Sequence, residues 1–257
     1  MKSYQLFATI FLAIALPSFG QIALADESTD VFEVYGCEFS SSGSISGVAK
    51  LNGLGTIMEL PYSNQLNVNV KKEMNLLSAL SIDIYQSGRK VSPKQLFIFE
   101  SGLANAFATP EQHDEKYPDG TIFIGLKLAR EELERDGSGL SIAGIMGHEF
   151  GHIIQFHNDC ELEGKERELL SDYIAGWYMA ARQVTTPWTD VRSTLNTMYN
   201  KGDYDFNSRN HHGTPSERVR ATKAGYDEAI NIFVSNGIPA YLGAAYKFGL
   251  VYVTDNF

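Results

Sequence analysis

A chain of 257 residues that is 44% apolar and 20% charged has the composition of an ordinary globular protein and the length to bury a sizeable core, as one large domain or two small ones. A net charge of −10 argues against a general binder of nucleic acid or of anionic membranes, since both need a basic field. The two cysteines, Cys37 and Cys160, are not spaced as a metal motif; in an oxidising compartment they either pair across a long loop or remain two buried thiols.

In chain order, residues 1–25 read as a signal peptide. Lys2 precedes an apolar run from Leu6 to Leu16, and Ala23-Leu24-Ala25 offers the small-x-small pattern of a cleavage site, with a cut after Gly20 as the other option. The run is about half of the ~20 apolar residues that span a bilayer, so cleavage is favoured over anchoring. Ile238 to Val253, the nearest later candidate, is interrupted by Lys247, and no transmembrane segment is expected in the mature chain. The expected location is outside the cytoplasm, periplasmic or secreted. Residues 26–60, rich in Ser and Gly, form an N-terminal segment of unclear role, a loose entry or a small hairpin; residues 61–257 form the main domain.

From Ser63 to Gln86 the positions Leu66, Val70, Met74, Leu77, Leu80 and Ile84 recur at helical steps, with Gly88 as the stop. Strands are expected at Gln95 to Glu100, Ala104 to Ala108 and Thr121 to Leu126. A short helix over Lys127 to Arg135 ends in the turn Asp136-Gly137-Ser138-Gly139. Helices follow at Leu140 to His157, Lys165 to Gln183, Thr189 to Asn200 and Ser216 to Val234. The order predicts an α+β fold, mainly helical with a small sheet.

The chemistry centres on His148-Glu149-Phe150-Gly151-His152. Residues four apart share a helix face, so both imidazoles can bind one ion, and Glu149 stands where a general base can activate a zinc-bound water. Six His and eighteen Glu in this chain give an expectation of about 0.01 accidental His-Glu-x-x-His matches, so the motif is informative by itself. A catalytic site needs a third protein ligand, and Glu168, on the following helix, is the best placed. Asp172, one turn further on, can accept the distal N–H of one ligand imidazole. The other reading of both acids is a solvated face, because Glu161, Glu163 and Glu166 are close by.

Four pieces of this sequence resemble the thermolysin-like gluzincins, and within them the M48 peptidases, the Ste24/HtpX family. Gly147 to His152 looks like the zinc helix and Glu168-Leu169-Leu170-Ser171-Asp172 like the Glu-x-x-x-Asp helix. Asn105-Ala106-Phe107-Ala108-Thr109-Pro110 is similar to the strand ahead of the zinc helix, and His212 with Arg218 keeps the spacing of a late His-Pro-Pro-x-x-x-Arg motif. The resemblance runs from about Leu96 to Ala221. It implies a zincin-like domain, endopeptidase activity, one zinc ion per chain carried by His148, His152 and Glu168, and an extended substrate along Asn105, Ala106, Phe107 and Ala108. Two departures stand out: Gly213 and Thr214 replace the prolines, and the membrane helices of several relatives are missing, which suggests a soluble periplasmic branch.

His212 has three readings: a hydrogen-bond donor to the tetrahedral oxyanion, a fourth zinc ligand that holds the enzyme latent, or a surface histidine. Arg218 either anchors the site through a buried carboxylate or lies exposed. His157 points away from the metal face, and His113 and His211 carry little signal. The expected function is thus a zinc metalloendopeptidase acting on exported protein or peptide substrates. The alternative is a zinc-stabilised chaperone or binding module, latent or non-proteolytic, in the periplasm.

Overall fold

The computed structural model describes residues 55–82, 89–100, 105–185, 190–204, 212–237 and 241–257. The expected signal peptide, Cys37 and His211 lie outside these residues, and so does the choice between a Cys37–Cys160 pair and two free thiols. The fold is α+β and mainly helical: β1 (Gly55–Met58), α1 (Gln65–Leu80), β2 (Lys94–Glu100), β3 (Ala106–Thr109), β4 (Thr121–Gly125), α2 (Leu126–Asp136), α3 (Leu140–His157), α4 (Gly164–Thr185), α5 (Val191–Lys201), α6 (Pro215–Asn236) and α7 (Leu242–Asn256).

The strands form one sheet in the order β1-β2-β4-β3. β2 runs parallel to β4, with Leu96 opposite Phe123, while β1 and β3 lie antiparallel at the two edges. Alternation along the strands divides the apolar side chains between two faces. Phe97, Ile122 and Ile124 join the main core with the helices, whereas Ile57, Leu96, Ile98 and Phe123 form a separate cluster. β1 was not foreseen: it lies within the segment 26–60, where four residues, Gly-Thr-Ile-Met, are too short a run to register as a strand.

Several element ends differ from the sequence reading for local reasons. α1 stops at Leu80 because Ser81 caps it, its backbone N–H bonding Leu77 O, and because the Ser81 hydroxyl accepts from Val91 N at 2.8 Å, fastening the helix end to the approach of β2. Ile84, Gln86 and Gly88 lie outside the described residues, as does Ala104. Leu126 opens α2 instead of closing β4. Gly137 and Gly139 both adopt left-handed backbone, one ending α2 and the other starting α3, so the expected turn is present. The apolar stretch considered above as a membrane candidate overlaps α7, a helix that the sequence reading did not include and that buries Leu242, Ala245, Gly249 and Val253. Among the described residues no helix is long and apolar enough to cross a membrane.

α4 is the centre of the helical layer, in contact with α3, α5, α6 and α7. Its central apolar residues Leu169, Leu170, Ile174, Trp177, Tyr178 and Met179 are fully buried. α6 crosses it at glycines. A Cβ on Gly176 of α4 would stand 1.8 Å from Thr222 O, and one on Gly225 of α6 would stand 1.9 Å from Tyr173 O. Both obstacles are backbone atoms and cannot turn aside. In an open helix Gly→Ala gains roughly 1 kcal/mol, but here the contact sets the sign. Gly225→Ala is expected to destabilise by about 3 kcal/mol, read as a lower denaturant midpoint at unchanged slope; an unchanged or higher midpoint would show that the helices do not touch there.

Candidate metal centre

α3 is buried over nearly its whole circumference, from Ser141 to Gln155 with the exception of His152, which is partly open. A helix of this kind is stable only where its polar groups are satisfied. His148 and His152, one turn apart, present their rings edge to face, with centroids 4.8 Å apart and the two Nε2 atoms 3.2 Å apart. Glu168, in the second turn of α4, faces both: its Oε2 is 3.4 Å from His148 Nε2 and its Oε1 is 3.4 Å from His152 Nε2.

The close approach of the two helices sets this spacing. A Cβ on Gly147 would lie 3.2 Å from Ala175 Cα, and one on Gly151 would lie 3.0 Å from Ser171 Cα. Glycines four apart on α3 therefore let α4 come near enough for a glutamate to reach the imidazoles.

The three residues offer one donor atom each, all within 4.8 Å of one another, and together they can hold a metal ion. The donors fit. Ligands about 2.0–2.1 Å from a tetrahedral ion stand about 3.3 Å apart, close to the separations observed.

Behind the ligands lies a second layer of polar side chains. Asp172 Oδ1 accepts from His148 Nδ1 at 2.8 Å, so a neutral His148 turns its Nε2 lone pair toward Glu168. Asp172 is completely buried, and Arg218 grips it with two hydrogen bonds of 2.7 Å, Nε to Oδ2 and Nη2 to Oδ1. Arg218 also donates to Lys201 O at 3.2 Å. Its place follows from the start of α6, where Thr214 and Glu217 form a reciprocal capping box and Pro215 takes the first turn.

By themselves the side chains polarise one another. Burial opposes charge on His148, but the hydrogen bonds to Asp172 and Glu168 outweigh it and raise the ring to about 10. Burial pulls His152 down to about 4. For Glu168 burial acts upward, yet His152 and the hydrogen bond from His148 hold the carboxyl well below the ordinary range. Asp172 is likewise lowered, burial being overcome by Arg218 and His148. Glu149 differs: burial pushes it up to about 7, against the nearby charge of His148.

His148, Glu149, His152, Glu168, Asp172 and Arg218 are thus brought to one place. His212 is not. It is exposed, its backbone N–H donates to Asp203 Oδ2 at 3.0 Å, and its ring Nδ1 stands 3.5 Å from the same oxygen, outside the ligand cluster. Gly213 follows it with φ of +90°. His157 is exposed at the end of α3, and His113 packs edge-on to Phe123 at 5.4 Å between centroids. Asn105 leads into β3, an edge strand of the described sheet that contacts α3, and its carbonyl accepts from Gly125 N. Ala106 is buried, Phe107 stacks on Phe123 at 4.8 Å and Ala108 is half-buried.

Two residues at the site were not anticipated. Gln155 Oε1 lies 3.2 Å from His152 Nδ1, and Ser171 Oγ lies 3.1 Å from the same atom. A signal existed: Gln155 is three residues after His152 and Ser171 three after Glu168, each on the face of its ligand. Comparison with protein-family models, with curated proteins and with solved structures returns no match.

Proposed function

We propose that this chain is a zinc-dependent metalloendopeptidase with a zincin-like domain of the M48 kind, acting on exported proteins. The observation that carries the reading is the convergence of His148, His152 and Glu168 with Glu149 on the same helix turn. Two imidazoles and a carboxylate form a donor set suited to zinc. Bound there, zinc supplies Lewis acidity, which polarises a peptide carbonyl and renders water nucleophilic at neutral pH.

The remaining work falls to the chain's own residues. Glu149 takes the proton of the attacking water on its carboxylate and returns it to the leaving amine, a role supported by its place next to His148 on α3 and by its carboxylate accepting no hydrogen bond from the described residues. Asp172 holds the His148 ring through Nδ1, and Arg218 holds Asp172. The edge strand β3 offers main-chain groups to an extended peptide beside α3, which suits a substrate bound by backbone more than by side chain. His212 lies outside the cluster of His148, His152 and Glu168, with its ring Nδ1 3.5 Å from Asp203 Oδ2. Residues 1–25 direct export.

The test is metal content together with proteolysis. The purified protein is expected to carry one zinc ion per chain and to cleave an unfolded protein, losing activity to a chelator and regaining it with zinc. A chain that binds no zinc overturns the proposal. A zinc-loaded chain that cleaves nothing leaves the binding module in its place.

A further inference from the structure

We propose that Gln155 is a positioning residue for the metal centre, setting through one amide both the His152 ring and the backbone that carries Glu168. The inference rests on His148, His152 and Glu168 being the metal ligands.

Gln155 is fully buried, on the face of α3 that meets α4. Its Nε2 stands 2.8 Å from the carbonyl oxygen of Arg167 and 3.0 Å from Ser171 Oγ, and its Oε1 stands 3.2 Å from His152 Nδ1. A peptide carbonyl can only accept, so the group facing Arg167 is the NH2 and the amide cannot be turned over without opposing two oxygens. The amide oxygen is thereby directed at His152. It too can only accept, so the hydrogen of a neutral His152 sits on Nδ1. Ser171 Oγ, which accepts from Gln155 and lies 3.1 Å from the same nitrogen, has a second lone pair able to accept from that Nδ1–H.

The consequence appears on the other side of the ring. With Nδ1 protonated, His152 Nε2 keeps its lone pair, and that atom is the one 3.2 Å from His148 Nε2 and 3.4 Å from Glu168 Oε1. This is the tautomer a ligand requires. The opposite grip of Gln155 matters as much, because the Arg167 carbonyl belongs to the peptide bond leading into Glu168. Arg167 Nε adds a second donor to Gln155 Oε1 at 3.3 Å. One amide therefore ties the ligand of α3 to the ligand of α4. His148 is held by an ionised pair, Asp172 with Arg218; His152 is held by a neutral side chain of its own helix.

The test uses the full chain and two variants. In Gln155→Met the acceptor is lost at similar volume, and zinc affinity measured by chelator competition is expected to fall roughly 10–100-fold. In Gln155→Glu an acceptor still faces Nδ1 while the donor to the Arg167 carbonyl is lost, so affinity is expected to fall less than in Gln155→Met but to stay below wild type. Equal losses in the two variants would mean that Gln155 only fills space between the helices, which overturns the proposal. Long-range ¹H–¹⁵N spectra of zinc-free wild type are expected to show His152 protonated on Nδ1 with a pyridine-type Nε2; the reverse tautomer overturns the proposal whether or not the variants fold. Failure of wild type to bind zinc would instead count against the ligand assignment, because the tautomer is read without metal.

Discussion

Glu149→Gln is expected to lower kcat/KM on an unfolded protein substrate by about 10²–10⁴-fold, the usual contribution of a general base, while zinc content stays at wild-type level. The amide preserves volume but has no basic oxygen at neutral pH. Folding is not expected to suffer. Glu149 is only 6% exposed and burial already disfavours its charge, so a neutral isostere removes a cost instead of adding one. The decisive result is therefore the combination of three readings: an unchanged or higher thermal midpoint, one zinc per chain and turnover lowered to that extent. Retained turnover would remove Glu149 from the chemistry. Loss of zinc would make it a ligand, contrary to the cluster of His148, His152 and Glu168.

Arg218→Met is expected to destabilise the protein by about 3–5 kcal/mol, the range found when one member of a buried ion pair is removed. Asp172 has no exposure at all and receives both of its strong hydrogen bonds from this guanidinium, in addition to that of His148. Truncation strands a carboxylate in the core. Lys cannot replace the two-point grip. Stability is to be measured in chelator, so that loss of metal binding does not enter the difference. Pairing Arg218→Met with Asp172→Leu supplies the control: with both charges removed, most of the lost stability should return, although zinc affinity should not, because His148 loses its acceptor. A single variant as stable as wild type would mean that the pair does not form.

Much of this arrangement was legible in the sequence because it is periodic and local. His148 and His152 declare themselves by a four-residue step, and the apolar residues around them mark α3 from Leu140 to His157 without error at either end. Glu168 was expected from its place on the following helix and Asp172 from the four-residue step after it, and both stand beside the histidines. The turn at Asp136 to Gly139 was readable because two glycines in left-handed backbone leave few other options.

Other features were not legible, and each depends on partners distant in the chain. β1 is a strand only because β2 pairs with it; nothing in Gly55 to Met58 alone distinguishes it from a loop. His212 kept the spacing of a motif, but its orientation was decided by Asp203, nine residues away and unremarkable in sequence. Gln155 lay on the right face, yet a glutamine has four hydrogen-bonding options, and only the Arg167 carbonyl reveals which end meets His152.

The sequence by itself determined the types of the candidate ligands, the helix of the histidine pair and the order of elements from α1 to α6, though neither β1 nor α7, because side-chain chemistry and the 3.6-residue repeat are properties of short segments. Only the tertiary structure decided that Glu168 comes within 3.4 Å of both imidazoles, that Arg218 neutralises Asp172 and that His212 stays outside. For Glu168 the reason is the distance between α3 and α4. It is set by glycines, which contribute no pattern of their own and become informative only when the backbone that approaches them is known.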